Sequence, residues 1–95
     1  MRMPDVTTCG VETCSYNKNR RCHAMAITIG GNGCPECDTL SKKKIEAGDP
    51  KTLAGVGACK IASCQHNERL VCTADNVSIG RFADSAACTT YERRA

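Results

Sequence analysis

Residues 9–22 read Cys9-Gly10-Val11-Glu12-Thr13-Cys14-Ser15-Tyr16-Asn17-Lys18-Asn19-Arg20-Arg21-Cys22. Residues 59–72 read Cys59-Lys60-Ile61-Ala62-Ser63-Cys64-Gln65-His66-Asn67-Glu68-Arg69-Leu70-Val71-Cys72. Both are C-x4-C-x7-C, offset by 50 residues, and the likeness runs on. Asn17 matches Asn67, Ala24 matches Ala74, Ile27 matches Val77, Thr28 matches Ser78, and Ile29-Gly30 matches Ile79-Gly80. A self-similarity of this length at one offset marks a structural unit that occurs twice.

A fourth cysteine completes each copy. Only Cys88 is left in the second copy, where it opens Cys88-Thr89-Thr90-Tyr91. In the first copy Cys37 opens Cys37-Asp38-Thr39-Leu40, which shares the C-x-T-apolar pattern with one residue of length difference. The two ligand sets are therefore Cys9, Cys14, Cys22, Cys37 and Cys59, Cys64, Cys72, Cys88. Cys34 is the unmatched ninth cysteine and the alternative ligand of the first set.

Composition says why such sets are needed. The chain has 95 residues, no Trp, one Phe and two Tyr. Leu, Ile, Val and Phe together make up about 15% of it, below the level at which a chain builds an ordinary core. A small scaffold of this kind needs a staple, either disulfides or metal. The sequence holds no apolar stretch of signal-peptide length and none that approaches a membrane span, so the expected compartment is the cytoplasm. Reducing conditions there favour metal over disulfides, and an odd cysteine count cannot pair completely. Zinc suits four thiolates best, in a closed tetrahedral site, and supplies folding free energy directly. Two ions are expected. An iron–sulfur cluster uses the same ligands and is the competing metal chemistry. Eight thiolates and two divalent ions would turn the formal charge of +3 into −1, which removes the basic character that nucleic-acid binding asks for.

The local patterns predict little regular structure. Ala26-Ile27-Thr28-Ile29 and Asn76-Val77-Ser78-Ile79 alternate apolar and polar and read as short antiparallel strands, ended by Gly30 and Gly80 in a positive-φ conformation. Gly31-Asn32-Gly33 reads as a tight turn, as do Asn17-Lys18-Asn19 and Asn67-Glu68. Ser41 is placed to cap a short helix ending at Gly48, and residues 51–58, with Gly55 and Gly57, read as a flexible link whose Leu53 and Val56 pack on something. The Lys42–Lys44 run reads as solvated surface. The expected organisation is a first cysteine-rich module at 6–40, a linker at 41–58 and a second module at 59–91. The fold class is thus a small metal-stabilised protein of two tandem modules with short antiparallel strands. His66, opposite Tyr16 in the repeat, reads as a ring covering the site, and His23, opposite Thr73, has no shared ligand role. Asn17 and Asn67 are expected to order the turn or to donate hydrogen bonds to thiolate sulfur.

The composite pattern C-x4-C-x-[YH]-N-x4-C-x-A-x2-[IV]-x-[IV]-G, closed by C-x-T and an apolar or aromatic residue, resembles the bacterial domain of unknown function number 1540. The resemblance covers about residues 6 to 91. It implies small cysteine-rich modules thought to bind metal, with four cysteines each, mapped onto the eight above. Val56-Gly57-Ala58-Cys59 and Ala87-Cys88-Thr89-Thr90-Tyr91 are similar to an actinobacterial tandem form. The chain departs from the family pattern at Cys34 and at Leu40, where the family has an aromatic residue. The resemblance implies no activity.

The functional expectation is a non-enzymatic structural or interaction protein with an unidentified protein partner. A closed four-thiolate site leaves no position for an activated water. The alternatives are a metal store or buffer, a disulfide-stapled exported or spore-associated protein, and a redox protein using Cys34 or the Cys34–Cys37 pair. Glu36 and Asp38 speak against the last, since neighbouring acids raise a thiol's pKa. Nucleic acid is disfavoured because almost no aromatic side chains are present to stack on bases.

Overall fold

The repeat is visible at once in the computed structural model, which describes residues 3–30, 34–82 and 85–94. Each copy contributes the same elements. The first has β1 (Asp5–Cys9), a two-residue pair β2 (Asn17–Lys18) and β3 (Arg21–Cys22), and β4 (Ala26–Ile29). The second has β5 (Gly55–Cys59), β6 (Asn67–Glu68) and β7 (Val71–Cys72), β8 (Asn76–Phe82) and β9 (Ser85–Cys88). No helix occurs among the described residues.

The copies do not fold side by side. The main sheet runs β4-β5-β1-β8-β9, so the first strand of each copy lies against the other copy's long strand. β1 pairs parallel with β8, and β5 pairs parallel with β4. β1 and β5 meet antiparallel at Asp5 and Gly55, residues one repeat apart. The far side closes in the same manner. Ile29 bridges to Cys37, and Glu36 bridges to Ala87, its own counterpart in the repeat. Gly30 N–H donates to Glu36 O at 2.9 Å, while Cys37 N–H donates to Ala86 O at 2.8 Å and Cys88 N–H to Pro35 O at 2.7 Å. The ring β4-β5-β1-β8-β9-(36–37) is thus complete, with a pseudo-twofold axis through its two self-paired points. Closure removes the exposed edges that a small open sheet would present. A radius of gyration of 12.2 Å is that of one domain of this length, near the 12–13 Å or so that scaling predicts.

The exchange has a physical reason. Each copy owns only four large aliphatic side chains of the core: Val6, Val11, Ile27 and Ile29 in one, Val56, Ile61, Val77 and Ile79 in the other, all at most 5% exposed. Burying one such side chain contributes about 1.5–3 kcal/mol, against about 1–2 kcal/mol per residue to order the backbone. Four are too few for a core, and merging the copies puts all eight in one cluster. A bulge makes this compatible with the cysteines. Register shifts between Val6 and Thr8 in β1, and again where Ile27 and Thr28 face Val56 and Ala58 of β5. Thr7 and Gly57 are therefore the extra residues, at equivalent positions. Without them Val6 and Cys9, three apart, would face opposite sides of the strand; with them both are buried, as are Val56 and Cys59.

Several local expectations are corrected by the same logic. The segment 41–48 forms no helix, because both its ends bond to the backbone of Ser15: Ser15 N–H donates to Ser41 O and Ala47 N–H to Ser15 O. The link at 51–58 ends in β5, a strand of the main sheet, with Val56 buried against the other copy and Leu53 40% exposed. Gly30 does adopt a positive φ of 91°, and a Cβ there would lie 2.5 Å from the Ile61 side chain. Gly80 does not; β8 runs through it to Phe82. The Gly31-Asn32-Gly33 turn lies outside the described residues.

The turns predicted at Asn17–Asn19 and Asn67–Glu68 fall later in the sequence. Asn17-Lys18 and Asn67-Glu68 are strand, and the two-residue loops are Asn19-Arg20 and Arg69-Leu70. All four loop residues have positive φ, from 55° to 66°, the signature of a type I′ hairpin. Leu70 is the costly one: a non-glycine residue in the left-handed region loses roughly 1–2 kcal/mol, and its side chain is 50% exposed. Leu70→Gly is expected to stabilise the protein by up to about 1 kcal/mol after glycine's extra unfolded-state entropy is allowed for. Urea unfolding of the two proteins measures it.

Candidate metal centres

Each type I′ hairpin exists to grip the first cysteine of its copy. Cys9 N–H donates to Arg20 O at 2.8 Å, and Asn17 Nδ2 donates to Cys9 O at 2.8 Å. In the second copy Cys59 N–H donates to Leu70 O at 3.0 Å and Asn67 Nδ2 to Cys59 O at 2.7 Å. The asparagines therefore hold the main chain of a cysteine rather than its sulfur. Asn67 also accepts from Leu70 N–H through Oδ1 at 3.1 Å, which orders the strained loop. This grip sets Cys22 and Cys72, at the ends of β3 and β7, beside the first cysteines. Tight turns bring the second ones in, with Cys14 N–H on Val11 O and Cys64 N–H on Ile61 O. The fourth cysteines arrive on the backbone bonds that close the ring.

Two cavities result. One is lined by Cys9, Cys14, Cys22 and Cys37, with Tyr16, Leu40 and Ile79 around them. The other is lined by Cys59, Cys64, Cys72 and Cys88, with His66, Tyr91 and Ile29. Their volumes are about 10 Å³ and about 20 Å³, the room of one water-sized sphere. Cys37 lines the first cavity, whereas Cys34 is exposed and lines neither. All nine cysteines are free thiols. Among the described residues no group of three or more His, Cys, Asp or Glu side chains already stands in metal-holding geometry. Four soft donors lining one small apolar cavity match a thiolate-bound ion in donor type and number.

The thiols respond to burial and to one another. Burial pushes Cys37 from the ordinary 9.0 up to about 11; the amide of Thr39 works against this, and the charges of Cys22, Cys14 and Cys9 add to it. Cys22, Cys72 and Cys88 are also raised, chiefly by burial. In each case a backbone N–H two residues on points at the sulfur: Ala24 at Cys22, Thr39 at Cys37, Ala74 at Cys72 and Thr90 at Cys88. These amides stabilise thiolates, which is what a metal-loaded site requires. They are the functional groups that side-chain reasoning missed. The recurring Cys-x-Ala and Cys-x-Thr pairs are their sequence signal.

The histidines differ. His66 flanks the second cavity; its Nε2 is buried with no hydrogen bond and lies 3.7 Å from Glu92 Oε1. His23 is buried away from both cavities, with Nδ1 2.8 Å from Thr52 O, and pins the connecting segment to the first copy.

The model of one family, Domain of Unknown Function (DUF1540), matches the chain twice, at residues 7–47 and 58–92. The chain belongs to the DUF1540 family. Neither a curated protein nor a solved structure matches it. Both DUF1540 segments contain the complete cysteine set of one cavity.

Asn67→Ala is expected to cost about 1–3 kcal/mol, because it strands the Cys59 carbonyl in a buried site. Asn17→Ala is expected to cost less, since Asn17 is only half-buried while Asn67 is 4% exposed. Chemical denaturation of both variants gives the comparison. The raised thiols make a second prediction. Between pH 9.0 and about 11 the folded chain keeps a proton on Cys37 that the unfolded chain releases, so metal-free stability must fall as pH rises through that window. Urea midpoints of chelator-treated protein across this range are expected to decline.

Proposed function

We propose that the protein is a cytoplasmic, non-enzymatic zinc module in which each four-cysteine set holds one ion, and that the metal-braced surface serves to bind a protein partner. The observation that carries this reading is the convergence of the two repeat-matched cysteine sets on separate ion-sized cavities, with Cys34 left outside. Cys9, Cys14, Cys22 and Cys37 would hold one ion; Cys59, Cys64, Cys72 and Cys88 would hold the other. A thiolate-bound zinc supplies structural free energy of the order of 10 kcal/mol at such sites. That is the scale missing from a core of eight large aliphatic side chains. The two cavities are lined by different cysteines, which favours discrete structural sites over a continuous thiolate cluster of the metal-store kind.

Native mass measurement of freshly purified protein is expected to show two zinc ions. A thiol-reactive tag is expected to modify one cysteine, Cys34, before denaturation, and all nine after denaturation with chelator. Loss of eight hydrogens with no bound metal would instead identify four disulfides and a protein that works outside the cytoplasm.

A further inference from the structure

Neither cavity is built from one copy alone. Ile79 and Ala86 of the second copy line the cavity of Cys9, Cys14, Cys22 and Cys37. Ile29 and Pro35 of the first copy line that of Cys59, Cys64, Cys72 and Cys88. The cysteines themselves are crossed in the same way. Cys9 is in register with Ile79 across β1 and β8, and Cys59 with Ile29 across β4 and β5. Gly10 N–H donates to Ile79 O at 2.8 Å and Lys60 N–H to Ile29 O at 2.7 Å. The fourth cysteines are joined most directly, through the reciprocal bonds from Cys37 N–H to Ala86 O and from Cys88 N–H to Pro35 O. Each of those acceptors lies two residues before the other copy's fourth cysteine.

We infer that the two sites fill as a coupled pair, metal at one strengthening metal binding at the other. This rests on the zinc reading above. An ion that fixes Cys59 and Cys88 also fixes the backbone of Ile29 and Pro35, and Ile29 bridges to Cys37. The ordering that Cys37 must undergo to ligate at the first site is then largely done. The reverse path runs through Cys9 and Cys37 to Ile79 and Ala86, so the effect is reciprocal, as linkage demands. A coupling of about 10-fold is typical of contacts that order a shared element.

The test is a zinc titration of the full chain followed by native mass spectrometry. With one zinc per chain, two independent equal sites put half of the chains in the one-zinc state, and unequal sites put more there. Coupling of about 10-fold lowers that fraction to about one quarter. The variants Cys14→Ser and Cys64→Ser each remove a ligand whose own amide bonds stay within its copy. Each is expected to weaken zinc at the untouched site by about 5-fold relative to the second binding step of the parent protein, the 10-fold coupling less a statistical factor of about 2, measured against a competing chromophoric chelator. The parent titration needs no variant to fold. A one-zinc fraction of half or more, with the untouched sites unweakened, would overturn the coupling and leave the zinc reading standing. A chain that takes up no zinc would overturn both.

Discussion

The exchange of first strands between the two copies is the constraint on which the rest of this structure depends. β1 and β5 are short, and two of the residues of β5 are glycines. Neither has enough side chain to stand in its own module. Placed against β8 and β4, they bring Val6 and Val56 into a shared core and set Cys9 and Cys59 at its two ends. Every later step relies on this. The hairpins grip the first cysteines, the third cysteines follow the hairpins, and the fourth are held by backbone bonds to the opposite copy. Pseudo-twofold symmetry makes each of these contacts occur twice, so one arrangement solves two problems of packing.

The chain spends stability on geometry at the hairpins. Four non-glycine residues sit in the left-handed region so that the carbonyls of Arg20 and Leu70 face the amides of Cys9 and Cys59. A strained loop persists where the surroundings over-determine it, and such loops gather at functional sites. Here the strain lies beside the candidate ligands in both copies, and the buried Asn67 supports it with both ends of its amide. Ionised sulfur is likewise costly to bury unless it finds partners. The amides of Ala24, Thr39, Ala74 and Thr90 stand ready to supply them. Strain, buried thiols and sulfur-directed amides lie together around both cavities.

Much of the site was legible in the sequence because a repeat reports equivalence directly. The pairing of Cys37 with Cys88 rested on the shared C-x-T pattern, and those two cysteines do line matching cavities while Cys34 does not. β4 and the first part of β8 were legible from alternation. β1, β5 and the ring were not. A repeat shows that two segments share a conformation, but it is silent on whether each copy closes on itself or on its neighbour. Gly55 and Gly57 argued for a flexible link, and their strand character comes wholly from pairing with the other copy. The bulge at Thr7 and Gly57 hid the strands further, since burial three residues apart breaks the alternation that marks a strand. Of the two roles open to the recurrent asparagines, ordering the turn and bonding to sulfur, Asn67 takes the first, and both side-chain amides donate to a cysteine carbonyl. The helix proposed for 41–48 failed because a capping serine says nothing about a competing partner such as Ser15.

The two copies form one interlocked ring rather than two beads on a string. Proton–proton nuclear Overhauser effects on the isotope-labelled, full-length protein test it most directly. An interlocked ring requires contacts from the amide of Gly10 to Ile79 and Gly80, and the repeat-related contacts from the amide of Lys60 to Ile29 and Gly30. Cross-copy contacts between Pro35–Cys37 and Ala86–Cys88 are predicted with them. Contacts confined to residues 3–40 on one side and 55–94 on the other, with β1 lying against its own β4, would contradict it.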